Sequence, residues 1–479
     1  MRACLIGMVL WVILPGFLIG EDADAYSPGE LQADFDALYE GLKAAHFDPF
    51  VHISQAEMDR AFQTRRAALK KPMTEKEARV FFQQFVALGK IAHARVDLPV
   101  PAFLAYLEAG GVFFPLDVKI VNQRTLITGN DSGVPELAAG QALIAMNGIT
   151  MKEWYRRLGA YCSADTETML HGFFETQFPF LLWLEVGEQT EFSVTVIDSA
   201  AKKQRVTVPA RNRAFMQQQR AKRKGRLTLD DGRSFRVLPD GIGYLRPGPF
   251  YNTESEDPWD NTSFVRFIDA AFEALRAQAA LIIDLRDNPG GSNSFSDHML
   301  AWFADKPFRF ASSFEVKVSE QSTAANAQRL KPGETDSISA RYAKEYAKRN
   351  NGEVFPFEIK ETAPRKGNRF TKPVYLLVNR HSYSNAVVVA AMVQDYGFGT
   401  VLGEETNDLA TTYGAMERFT LPNTGISVGY PKAHIVRPNG DRTVRGVVPD
   451  IALATPLIEG EDDPVLTKAV EQVKAHLKQ

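Results

Sequence analysis

Apolar positions between residues 28 and 90 recur at helical spacing. Leu31, Phe35, Leu38 and Leu42 fall four, three and four residues apart, on one face of a helix. Ser54-Gln55-Ala56-Glu57 is a capping box that opens a second helix. Thr74-Glu75-Lys76-Glu77 is another, followed by Val80, Phe81, Phe85 and Leu88. From Gly111 to Ala210 the pattern shortens to that of strands. Val112–Ile120 and Gln123–Thr128 are two. Ala139–Gly148 is a third, ending in an Asn-Gly turn. A short helix at Met151–Leu158, a helical insert at 160–185 and a hairpin at Glu191–Ile197 and Gln204–Pro209 complete this stretch. Beyond it, strand and helix alternate. Strands are predicted at Gly241–Arg246, Ala280–Leu285, Val374–Val378 and 400–403, with helices at Ser263–Ala277 and 385–395. The run Ala280-Leu281-Ile282-Ile283 is apolar on both faces, as a buried parallel strand requires. The pattern therefore predicts an α/β core preceded by a helical domain (26–105) and a β domain (106–210), with the core spanning 211–479.

Composition refines this picture. A hydrophobic fraction of 45% and a charged fraction of 24% over 479 residues describe a globular chain with a large core. The net charge of −3 argues against a nucleic-acid partner. The basic run 211–226 (Arg211, Arg213, Arg220, Lys222, Arg223, Lys224, Arg226) is then read as a solvated linker helix. Residues 320–370, polar and rich in Ala, Lys and Glu, are read as a surface insertion with one helix near 337–349. Residues 1–25 carry Arg2, an apolar stretch from Ala3 to Gly20, and Ala23-Asp24-Ala25, a small-x-small cleavage pattern before Tyr26. They are read as a signal peptide, an uncleaved membrane anchor being the alternative; cleavage predicts an exported protein, periplasmic or extracellular, with no stable membrane insertion. With two cysteines and eight scattered histidines, no metal site is expected, and no cofactor is implied.

Two segments carry the chemistry. In Asp284-Leu285-Arg286-Asp287-Asn288-Pro289-Gly290-Gly291 a buried strand runs into a Pro-Gly-Gly turn. Paired glycines let the backbone approach a ligand and present N–H groups to it, as an oxyanion hole requires. In Val374–Ala386 a strand ends, the chain turns, and Ser384 stands at the start of a helix. Unpaired N–H groups and the helix dipole favour negative charge there, although a serine in that place can equally be an N-cap.

Taken together, "DLRDNPGG", "PVYLLVNRHSYSNA", "AAMVQDYGFGTVLGEET" and "GVVPDIAL" (Gly446–Leu453) resemble the tail-specific proteases, or C-terminal processing peptidases, of the S41 serine peptidase class. The resemblance covers roughly 240–455 and implies a tail-specific protease core with a ββα fold related to ClpP and crotonase. In outline the 106–210 region resembles a circularly permuted PDZ domain. By resemblance the nucleophile is Ser384, with Ser382 as the alternative. The oxyanion donors would be the amides of Gly290 or Gly291 and of Asn385.

The chain departs from the pattern at the base. The family's lysine position holds Leu409, and no lysine lies between Lys372 and Lys432. The tricorn-like branch takes a histidine base from its N-terminal part, and His93 in Ala87–Val96 stands at the matching place. A neutral imidazole, with an ordinary pKa of about 6.5, can serve as base at neutral pH. Glu405, in the loop after the serine, is the candidate carboxylate to orient it, Glu404 being its neighbour, and His381 is read as supporting or structural. The implied function is an exported serine peptidase that hydrolyses polypeptide substrates through a Ser-His acyl-enzyme. Two alternatives stay open: a non-catalytic ligand-binding protein on the same fold, like the retinoid carriers that resemble this family, and a small-ester hydrolase.

Overall fold

The structure is a computed structural model that describes residues 25–222, 232–457 and 462–478. All but the last residue of the expected signal segment, and Arg223, Lys224 and Arg226 of the basic run, lie outside the described residues.

The N-terminal layer is α1 (Pro28–Ala45), α2 (Gln55–Ala68) and α3 (Glu75–Val86). Each opens on a capping box: Ser27 with Glu30, Ser54 with Glu57, and Thr74 with Glu77. Removing such a cap typically costs about 1 kcal/mol. The periodic residues Leu31, Phe35, Leu38 and Leu42 are buried as predicted, Phe35 among the rings of Phe62, Phe81, Phe82 and Phe85. A short strand β1 (Arg95–Val96) and helix α4 (Val100–Glu108) follow. Two boundaries differ from the predicted division. Val100, Phe103 and Leu107 of α4 pack into the next module's core. The N-terminal helices share theirs with Leu421, Ile426, Val428 and Tyr430, far along the chain.

The second module has a sheet ordered β2 (Leu116–Val121), β3 (Arg124–Asn130), β4 (Ala142–Met146), β6 (Glu191–Ile197), β7 (Lys203–Pro209), with β5 (Ile149–Thr150) paired to β4. Its helices are α5 (Met151–Gly159) and the long α6 (Glu167–Val186), the predicted insert. Helix α7 (Arg213–Lys222) lies against this module. Arg211 donates to the carbonyl of Ser132, and Arg220 pairs with Asp131 at 2.5 Å, so both spend their charge inside the protein.

The core sheet is ordered β17-β14-β13-β10-β9-β8, with β8 (Ser234–Leu238), β9 (Ile242–Arg246), β10 (Ala280–Asp284), β13 (Val374–Val378), β14 (Thr400–Gly403) and β17 (Ile451–Ala452). All its pairings are parallel except β8 with β9. Every residue of β9, β10 and β13 is buried. Helices α8 (Thr262–Leu275) and α9 (Asn293–Ala301) and the helix after β13 cover one face; the last helix, Pro464–Leu477, contributes to the other.

The 320–370 region is not only a surface insertion. Strands β11 (Ser313–Lys317) and β12 (Val354–Pro356) join a third sheet with β15 (Thr412–Thr420) and β16 (Ser427–Val436). They enclose α10 (Glu320–Ala327) and α11 (Ile338–Tyr346), and α11 buries Tyr342 and Tyr346 against Phe355 and Phe357. The remaining helices are α12 (Asn385–Tyr396) and α13 (Pro464–Leu477). In open α/β sheets ligands bind beyond the carboxyl ends of the strands, which here are the loops after β10 and β13.

Candidate active site

The loop after β10 is built rigidly. Asp284 is buried and bonds the guanidinium of Arg286, which also reaches Asp463. Burial opposes ionisation of Asp284, but Arg286 and Arg246 hold its carboxyl below the ordinary value. These two charges of the motif therefore serve the strand end. Asp287 and Asn379 exchange hydrogen bonds between the two loops, and Tyr383 N–H donates to the carbonyl of Asn288 at 2.9 Å.

Gly290 adopts φ +83°, and a Cβ there would meet the carbonyl oxygen of Tyr383 at 2.5 Å, the nitrogen of Asn385 at 2.6 Å and the Cβ of Ser384 at 2.8 Å. Only glycine allows the two turns to touch. The Gly290 N–H, however, donates to Asn288 Oδ1 at 2.9 Å. It is committed to the turn, which corrects its expected place among the oxyanion donors. The N–H groups of Gly291 and of Asn385, the first residue of α12, meet no acceptor among the described residues.

Ser384 has φ +52° and ψ −123°, a left-handed conformation that costs a non-glycine residue of order 1–3 kcal/mol. Its side chain makes no capping bond to α12. The ordinary reason for a serine in this place is therefore absent, and its hydroxyl makes no hydrogen bond among the described residues. Ser382 is unlike it: fully buried, its Oγ donates to the Leu285 carbonyl at 2.7 Å and accepts from Asn379 N–H at 3.1 Å. It fastens one loop to the other.

His93 arrives at the same place from the N-terminal layer. Its loop leaves α3 through Lys90 at φ +52°. Val96 then pairs with Val428 and donates its N–H to Gln83 Oε1 at 2.7 Å. On the other side, Ala92 N–H donates to Asp165 Oδ2 at 2.9 Å. The His93 ring is buried and stacks on that of Tyr383, centroids 6.2 Å apart, and its Nδ1 has no hydrogen-bond partner among the described residues.

Glu405 does not face it. The carboxylate is 42% exposed and bonds Arg445 at 2.8 Å. Glu404 reaches Arg380 and Lys119 and accepts from Thr455. The loop turns both acids away because Thr406, whose hydroxyl bonds the Asp408 carbonyl and the Val447 amide, folds it inward one step later. The buried acid on the Ser384 turn is Asp408, 1% exposed, whose Oδ2 accepts the Ser384 N–H at 2.5 Å and whose carboxyl lies within electrostatic reach of His93. The family pattern offered no signal for it; the only cue is an acid directly before the displaced lysine position.

Leu409 sits in an apolar cluster with Ala92, Ala164, Met169 and Phe173, the last two from α6, so that helix lies over the site. Cys162 borders the cluster, and burial pushes its thiol up to about 12, which keeps it protonated and unreactive at neutral pH. His381 faces Glu175 of α6 at 3.5 Å and takes no part in the cluster around Ser384.

With this geometry in hand, comparison places the chain. Residues 241–453 match the model of peptidase family S41. The fold is similar to that of mature CPAF complexed with lactacystin, at 15% identity over 94% of this chain and 99% of that one, TM-score 0.63. A second structure of mature CPAF aligns at 16% identity over 88% of this chain and 93% of that one, TM-score 0.54. The photosystem II D1 C-terminal processing protease aligns more loosely, at 16% identity over 88% of this chain and 93% of that one, TM-score 0.43.

Proposed function

We propose that the chain, whose residues 241–453 match the model of peptidase family S41, is a serine peptidase of that class and works by a serine–histidine mechanism. Ser384 Oγ attacks the peptide carbonyl while His93 takes its proton. The amides of Gly291 and Asn385 receive the negative charge on the oxygen. The carbon–nitrogen bond then breaks as His93 returns the proton to the leaving amine, and water repeats the sequence on the acyl-enzyme. The observation that carries this reading is the backbone of Ser384. It is strained, uncapped and pressed against Gly290, and the buried His93 ring stacks on the neighbouring Tyr383.

The sheet β2–β7 is read as a PDZ-like module that binds substrate peptide, and the parallel sheet as the ClpP-like core. Export rests on the apolar segment Ala3–Gly20; N-terminal sequencing of protein from the culture fluid or envelope should begin at Tyr26.

Side-by-side digestion of a peptide library by wild type and Ser384→Ala is the test. Cleavage by the first and none by the second supports the reading. Equal cleavage refutes it. Hydrolysis of small esters with no peptide cut would point to the esterase alternative, and no reaction with a fluorophosphonate to a ligand carrier.

A further inference from the structure

One buried titratable group beside Ser384 has no role in the peptidase reading. Asp408 accepts two backbone N–H groups, from Ser384 at 2.5 Å and from Leu409 at 2.9 Å. Its turn is pinned from the opposite side through Thr406, which holds Val447. The His93 imidazole lies within its electrostatic reach. Asp165, in the loop before α6, is also within its electrostatic reach, and the buried Tyr383 hydroxyl feels Asp408, Asp165 and Arg95. Burial raises the Asp408 carboxyl above its ordinary value, and His93 and the two amides offset only part of that rise.

We propose that Asp408 is the positioning residue of the Ser384–His93 pair, clamping the nucleophile's amide and supplying the negative charge against which His93 takes up the serine proton. The inference rests on the peptidase reading above. Three features of the site follow from it. The left-handed backbone of Ser384 persists because a charged acceptor holds its N–H, a bond stronger than one between neutral groups. That N–H is consequently unavailable to an oxyanion, which leaves the hole to Gly291 and Asn385. Finally, Asp408 and Leu409 make sense as a pair. A lysine base must give up its proton before it can act, and a neighbouring carboxylate would hold that proton on. A histidine base gains from the same carboxylate, because the imidazolium formed during attack is stabilised. The proton moves from Ser384 Oγ to the imidazole and on to the leaving amine; Asp408 stays ionised throughout.

The test is the pH dependence of fluorophosphonate labelling on the full chain, with melting curves for each variant. Asp408→Asn should label more slowly than wild type at pH 8, by about 10²- to 10⁴-fold. Its acid limb should also move to lower pH by about one unit, since the imidazolium loses its counter-charge. A slowed variant whose limb stays in place would reduce Asp408 to a structural role and overturn the proposal, as would wild-type rates. If Asp408→Asn does not fold, Asp408→Glu carries the test: with the charge kept, its limb should stay at the wild-type position, and a limb displaced downward overturns the proposal. Wild type that takes no label at Ser384 refutes the peptidase reading itself, whatever the Asp408 variants do.

Discussion

At the scale of single residues, Ser384 joins chemistry to backbone strain. Ser384→Ala should abolish peptide hydrolysis yet leave stability nearly unchanged, because no capping bond is lost. Ser384→Gly should be equally inactive but more stable, by roughly 1 kcal/mol, since glycine adopts this conformation without penalty. Thermal melts of the three proteins check the order; an alanine variant well below wild type would mean that the hydroxyl holds the helix after all. Leu409→Lys tests the departure from the family pattern. Leu409 is 3% exposed in an apolar cluster, so a lysine there is desolvated and should lower Tm without restoring activity to His93→Ala. Recovered activity would show that the site still works as a serine–lysine pair. Asp297 gives a pH prediction. Burial raises its carboxyl to about 6, against the opposing hydrogen bond from Thr362, which donates to Oδ2 at 3.2 Å. A raised acid stabilises the fold fully below its unfolded value, near 4, and that contribution is lost as pH rises through about 6. Asp297→Asn should therefore match wild-type stability near pH 4 and exceed it at pH 7. A difference in Tm that does not change with pH would contradict the assignment.

At the scale of elements, the two turns after β10 and β13 act as one unit. Gly290→Ala would drive a Cβ into backbone atoms of Tyr383 and Asn385. It should cost both stability and most of kcat/KM; near-normal turnover would show that the turns need not touch. These turns were legible in the sequence because their signals are local: a run of apolar residues ending in Pro-Gly-Gly, and a serine opening a helix. The N-terminal helices were legible for the same reason, through spacing and capping boxes. The hairpin β15–β16 was not. Its strands carry Glu417, Arg418, Lys432 and His434 in place of a clean alternation. Glu417 and Lys432 are buried as a pair 2.6 Å apart, which only the fold can arrange. The proposal of Asp408 in place of Glu405 rests on similar grounds. Glu405 and Asp408 look equivalent along the chain; which of them turns inward depends on bonds from Thr406 to Asp408 and Val447, and the latter lies in a segment distant in sequence.

At the scale of the whole molecule, the site is assembled from three stretches that are remote along the chain. His93 is held by β1 against β16 and, through Gln83, by the carbonyl of Tyr161 and the hydroxyl of Ser163 in the second module. The N-terminal layer is thus continuous with the β16 segment, its core shared with Val428 and Tyr430. Phe35→Ala, in that core, should lower stability by about 3–5 kcal/mol and lower kcat/KM as well, although Phe35 lies outside the catalytic cluster; a destabilised variant with unchanged kcat/KM would show that His93 is placed independently of the layer. The pairing of serine and histidine across this distance is the centre of the account. Its most direct measurement is fluorophosphonate labelling of the full chain, with the adduct located by peptide mass mapping in wild type and in His93→Ala. The account predicts a single adduct on Ser384 in wild type and a labelling rate lower by about 10³-fold or more in His93→Ala. An adduct on another residue, or equal rates in the two proteins, would contradict it.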